Sequence, residues 1–143
     1  MGSLVIRPAG TDDIAALVAL DSFANAGNDR ADEIVNWVAA GRCTCATIDG
    51  NPAGYAVVHR HFFGHPMLEV VMVSTEHRRQ GVGEALIRHA IETAPGPVLW
   101  TSTNQSNAPM QALLARLGFQ RSGFIEGLDD GDPELIYRIA MGK

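Results

Sequence analysis

The run Met67–Val73 is apolar at both parities except for Glu69, and it leads into Arg78-Arg79-Gln80-Gly81-Val82-Gly83 and then a helix-forming stretch. A strand apolar on both faces must be covered on both, so this one belongs at the centre of a sheet. The glycines after it permit backbone angles that other residues avoid, and they let a ligand approach the main chain. The first N–H groups of the following helix lack partners within it, and the helix dipole places partial positive charge at that end. Strand, turn and helix together make an anion site suited to a phosphate or pyrophosphate. The dipole contributes only about 0.3–1 kcal/mol per charge, so several N–H hydrogen bonds must supply most of the grip.

Two common nucleotide fingerprints do not fit. A dinucleotide-binding G-x-G-x-x-G/A motif requires a small residue where Leu86 stands. A Walker loop requires Lys-Ser/Thr after its glycines, where Glu84-Ala85 follows instead. At this level an ordinary glycine turn with surface arginines is still an alternative.

The rest of the chain can be read from its periodicity. Leu4–Arg7 reads as a strand ending at Pro8, and Thr11 offers an N-cap with Asp12 and Asp13 in the first helical turn. Ile14, Leu17 and Val18 follow at helical spacing. A second helix starts at Asp29, carries Ile34, Trp37 and Val38, and stops at Gly41. Thr44–Ile48, the turn Asp49-Gly50-Asn51-Pro52 and Ala53–Phe63 form a hairpin, and Gly64-His65-Pro66 precedes the central strand. A helix over Gly81–Thr93 and a strand at Val98–Thr101 come next. The helix Ala108–Leu117 has Met110, Leu113, Leu114 and Leu117 as its stripe and Gly118 as its cap. Phe119–Ile125 and Leu135–Met141 are the last strands. The order β-α-α-β-β-β-α-β-α-β-β makes an α/β (α+β) chain with helices on the faces of a mixed sheet.

At 143 residues the chain is expected to be a single domain, 1–143, able to bury a core without disulfides or a metal. Its 46% hydrophobic and 19% charged content is that of a soluble globular protein. No stretch is long enough to span a bilayer and Met1–Pro8 lacks a signal-like apolar region, so no membrane association and a cytoplasmic location are expected. A net charge of -5 gives nucleic-acid binding no support. Cys43 and Cys45 would share one strand face as reduced thiols. They make no CxxC pair, and although His59, His61 and His65 lie nearby, no metal site is expected. Asp129, Asp130, Asp132 and Glu134 crowd one loop, either as a solvated turn or as a field favouring a cationic substrate.

Two motifs at this spacing resemble the GNAT superfamily of N-acetyltransferases. The first is Arg/Gln-x-x-Gly-x-Gly/Ala after the fourth strand, matched by Arg78-Arg79-Gln80-Gly81-Val82-Gly83. The second is an Asn opening a helix that ends in Leu-Gly-Phe, here Asn107 and Leu117-Gly118-Phe119. The element order agrees from Leu4 to Met141. The resemblance implies a mostly antiparallel sheet of about seven strands flanked by about four helices.

It also implies acetyl-CoA as cosubstrate. Arg78, Arg79, Gln80, Gly81, Val82, Gly83 and Glu84 would hold its pyrophosphate, Val71 and Val73 would present backbone groups where strands four and five splay, and Asn107 would meet the pantetheine. An N–H aimed at the acetyl oxygen would act as an oxyanion donor. A small-molecule or peptide amine would attack directly in a ternary complex, and dimers are common in such proteins, so a homodimer is admitted. Glu69 is the candidate base: it is the only ionisable side chain in its run, and partial burial is expected to raise its pKa. The alternative for Glu69 is a strand-end carboxylate that reaches water. His59 and His61 share a strand face and either line the acceptor pocket, relay a proton or serve as ordinary surface histidines. The family's usual acid, a Tyr three residues before Leu-Gly-Phe, is replaced by Leu114, and neither Tyr55 nor Tyr137 lies on that helix. That departure motivates a second function class, a non-catalytic acyl-CoA-binding module.

Overall fold

A computed structural model describes residues 2–24 and 28–142. Within them the anticipated order holds: β1 (Leu4–Pro8), α1 (Ile14–Leu20), α2 (Arg30–Ala39), β2 (Cys43–Ile48), β3 (Asn51–Phe62), β4 (His65–Val73), α3 (Val82–Thr93), β5 (Val98–Asn104), α4 (Ala108–Arg116), β6 (Gln120–Ile125) and β7 (Glu134–Ala140). The seven strands form one sheet in the order β1-β2-β3-β4-β5-β7-β6. The β1–β2, β2–β3, β5–β7 and β6–β7 ladders are antiparallel, and β4–β5 is parallel. β4 is therefore central, as its double-sided apolar pattern requires.

The chain divides into two compact units, Met1–Val58 with Val70–Ala90, and His59–Glu69 with Ile91–Lys143. In the first unit Leu17 of α1 and Ile34 and Val38 of α2 bury against Cys43, Cys45, Tyr55, Val57 and Val70. The helical spacing had marked those three residues. Both cysteines are free and buried, and burial pushes the Cys43 thiol up to about 12, so it stays protonated and inert.

Some boundaries differ from expectation. Thr11 is not an N-cap, because Thr11–Asp13 forms a 3-10 turn preceded by Gly10. Gly10 holds the cap position, and Asp13, the third residue of the turn, reaches back to accept from the Gly10 N–H at 2.8 Å and from both terminal nitrogens of Arg7, each at 2.8 Å. The β2–β3 turn is only Asp49-Gly50, both at positive φ (52° and 82°), the two-residue geometry that matches strand twist. Asn51 and Pro52 are thereby inside β3, and Pro52 pairs with Thr47 beside a register shift, where a missing N–H does least harm.

In the second unit Phe63-Gly64 makes another such turn (φ 53° and 79°), so His65 and Pro66 begin β4 instead of forming a loop. Leu99, Leu114, Phe119 and Leu135 are buried core residues. The acidic turn is tied down in part. Asp129 accepts from Asn104 Nδ2 at 2.8 Å, and Asp132 accepts from Ser106 N–H at 2.9 Å and Ser106 Oγ at 2.6 Å.

Candidate functional site

The glycine turn lies in the first unit, between β4 and α3. Ser74 closes β4, donating its N–H to Ala53 O at 2.8 Å, and its Oγ meets His77 Nδ1 at 2.6 Å. After the 3-10 turn Thr75–His77, Arg79 takes φ 66° and Gly81 φ 80°. A left-handed non-glycine residue is uncommon, and left-handed residues just ahead of a helix belong to the kind of turn in which backbone N–H groups form anion sites. The first hydrogen bond of α3 runs from Ala85 N–H to Gly81 O at 3.0 Å. The N–H groups of Val82 and Gly83 therefore lie ahead of the helical ladder. Arg78, Arg79 and Gln80 are exposed, and neither arginine is ion-paired among the described residues. Glu84 pairs with Arg88 at 2.9 Å.

The two glycines act differently. Gly81 needs its positive φ, yet an added Cβ would meet nothing within 4 Å. A Cβ at Gly83 would reach Val73 at 3.6 Å and Val71 at 3.9 Å, which is ordinary contact. Internal packing does not demand a glycine at 83. Val71 and Val73 thus face the start of α3, and both are half-buried. A third glycine went unnoticed in the sequence. A Cβ at Gly54 of β3 would stand 2.6 Å from Met72 O and 3.0 Å from Val82 Cγ1. The signal available was a glycine inside a strand, which marks close backbone approach.

The first unit also holds a buried polar cluster that the sequence did not reveal. Asp21 and Tyr55 are fully buried, Tyr55 Oη donates to Asp21 Oδ2, and Arg30 Nη1 reaches the same oxygen at 3.1 Å. Burial, followed by the bond to Asp21, pushes the Tyr55 phenol well above its usual range. Nothing in the local pattern around Asp21 announces these partners.

In the second unit, Glu69 Oε1 lies 2.9 Å from His59 Nε2. Glu69 is exposed, with 41% of its side chain accessible, so the expected partial burial is not found. His59 is 13% exposed, and its ring stacks on His61 at 5.5 Å. The parallel β4–β5 ladder contains only Met67↔Trp100 and Leu68↔Thr101, while β4 continues to Val73 and β5 to Asn104. Asn107 is exposed and caps α4, accepting from Met110 N–H at 3.2 Å, which leaves its amide N–H₂ as donors. Leu114 is buried hydrocarbon, and Tyr137 is buried on β7.

The model of the acetyltransferase (GNAT) family matches residues 12–119. The chain belongs to that family. A GNAT-family acetyltransferase from Bacillus cereus is 32% identical with a TM-score of 0.90, covering 97% of this chain and 98% of that one. The structure of yncA from Salmonella typhimurium with its cofactor acetyl-CoA has the same fold, at 22% identity and TM-score 0.81, over 98% of this chain and 95% of that one. Peptidyl-lysine N-acetyltransferase YjaB from Salmonella typhimurium is 32% identical over 74 residues, 49% of this chain and 50% of that protein. The chain spans half or less of the curated relatives it matches. No helix among the described residues is long and apolar enough to cross a membrane.

Proposed function

We propose that the chain is an acetyl-CoA-dependent N-acetyltransferase, acting as one catalytic domain over 1–143 and passing the acetyl group directly to a primary amine in a ternary complex. The observation that carries this reading is the turn Arg78–Gly83 of a GNAT chain, where left-handed Arg79 and Gly81 open α3 ahead of its first helical bond. The N–H groups of residues 78–84 would hold the pyrophosphate, with Arg78 and Arg79 adding charge. Gly83 fits that role, since nothing inside the fold requires it to lack a side chain. Val71 and Val73 would offer strand amides, and Asn107 its remaining amide donors, to the pantetheine. The bound thioester supplies an activated acetyl carbon.

Glu69 would accept the proton that the attacking amine sheds; its exposed carboxylate is the one ionisable side chain within the apolar run Met67–Val73. Neither Leu114 nor the buried Tyr55 can serve as an acid, so solvent would protonate the departing thiolate. The acceptor is a small-molecule or peptide amine, and peptidyl-lysine, the substrate class in the name of YjaB, belongs in the first panel. A cytoplasmic location fits acetyl-CoA use. A homodimer would be sought around the exposed Phe124, Ile125 and Leu128.

Leu114 favours the second reading, a non-catalytic acyl-CoA-binding module. Titration with acetyl-CoA followed by thermal shift should raise stability, because a ligand selective for the folded state does so. Absence of any shift would sink both readings. Thiol release across lysyl peptides, peptide N-termini, polyamines and amino acids then separates them, and binding without turnover on every amine would favour the module.

A further inference from the structure

His59 is held at both ring nitrogens. The N–H of His61 donates to its Nδ1 at 2.9 Å, and its Nε2 lies 2.9 Å from Glu69 Oε1. A nitrogen that accepts from a backbone N–H has no proton of its own, so the ring proton of the neutral imidazole sits on Nε2, the nitrogen 2.9 Å from the carboxylate oxygen. The backbone of β3 thereby selects the tautomer. Stacking on His61 at 5.5 Å and 18° between the planes limits rotation of the ring. Among the described residues, the other oxygen of Glu69 has no partner.

We propose that His59 is a positioning residue: it fixes Oε1 of Glu69 and leaves Oε2 as the atom that takes the amine's proton. This rests on the N-acetyltransferase reading and deepens it. As the C–N bond forms and the thioester C–S bond breaks, the surplus proton on nitrogen goes to Glu69 Oε2. The thiolate takes one from water. A carboxylate anchored at one oxygen keeps the lone pairs of the other aimed in one direction, which is how orientation lowers a proton-transfer barrier.

The test combines a spectroscopic and a kinetic arm on the full chain. Long-range ¹H–¹⁵N NMR of the histidine rings should find His59 protonated at Nε2 and bare at Nδ1; the opposite tautomer would overturn the proposal. This arm needs no turnover. In the kinetic arm, with a lysyl peptide and a polyamine as probes, His59→Leu should lower kcat on the order of tenfold to a hundredfold, the range over which orienting partners act. The acetyl-CoA thermal shift should not change. His59→Gln, whose amide can donate from a similar position, should restore most of the rate. Combined with Glu69→Gln, His59→Leu should cost little further, because both act through one proton transfer. Wild-type kcat in His59→Leu, no rescue by glutamine, or fully multiplicative losses would each overturn the role. A wild-type chain that binds acetyl-CoA yet turns over no amine defeats the acetyltransferase reading and this role with it.

Discussion

Gly54 and Met72 approach so closely that a Cβ on the glycine would stand 2.6 Å from the methionine carbonyl oxygen. Backbone cannot swing aside as a flexible side chain can, and Val82 and Leu86 of α3 lie beyond at 3.0 and 3.4 Å. Gly54→Ala should therefore destabilise the fold by about 1–3 kcal/mol, the usual cost of overpacking. It should also weaken acetyl-CoA binding by displacing Val82 at the first turn of α3. Denaturant unfolding and acetyl-CoA titration of the variant check the two effects.

Gly81 and Gly83 separate stability from binding. Gly81→Ala places a side chain at φ 80°, and should cost about 1–2 kcal/mol of stability. Gly83→Trp meets only ordinary contacts at its Cβ and should fold nearly as well as the parent. It should nevertheless abolish acetyl-CoA binding by filling the approach to the turn. Unchanged affinity in Gly83→Trp would move the pyrophosphate elsewhere.

Glu69→Gln should lower kcat by about 10²–10⁴, the range for a general base, with acetyl-CoA affinity preserved. Steady-state thiol release beside a binding titration measures both. An unaltered pH–rate profile in the variant would remove Glu69 from the proton path.

Asp13 gives an acid-limb prediction. The Arg7 hydrogen bonds, then that from Gly10, hold its carboxyl down at about 2 against an ordinary 3.8. The folded state thus binds fewer protons than the unfolded state between these values. Its stabilisation is present above the unfolded value and is lost as pH falls through the folded one. Arg7 is 41% exposed, so the pair is worth under about 1 kcal/mol. Asp13→Asn should melt below the parent at neutral pH, and the gap should close toward pH 2 in a Tm-against-pH series.

Tyr55→Phe removes one partner from the fully buried Asp21. The remaining contacts include Arg30 Nη1 and the N–H groups of Phe23 and Ala24. A loss of about 1–3 kcal/mol is expected, the cost of leaving a buried acceptor short of a donor. Chemical denaturation of Tyr55→Phe measures it, and a neutral result would show that Arg30 suffices.

The elements and the anion-binding turn were legible in the chain because they rest on local properties. Met67–Val73 announces a central strand through hydrophobicity at both parities, and Arg78–Gly83 announces its turn through glycines at short spacing. Leu17, Ile34 and Val38 were marked for the core by helical period alone. Register and reach were not legible. Asp49-Gly50 and Phe63-Gly64 proved tighter turns than expected, because hairpin geometry favours two left-handed residues and draws Pro52 and Pro66 into strands. Thr11 lost the cap position to Gly10, whose N–H bonds the Asp13 carboxylate that Arg7 also holds.

By itself, then, the sequence determined the order of elements, the double-sided β4 and a main chain shaped for an anion at Arg78–Gly83. Only the tertiary structure decided that Glu69 is exposed and meets His59, that Gly54 lets β3 come close to Met72 and Val82, and that Asp21 is buried with Tyr55. The physical reason is one of range. Backbone propensity and periodicity act within a turn or two, whereas a side chain's partner depends on which distant residues strand register and helix packing bring within about 3 Å, the hydrogen-bond distance.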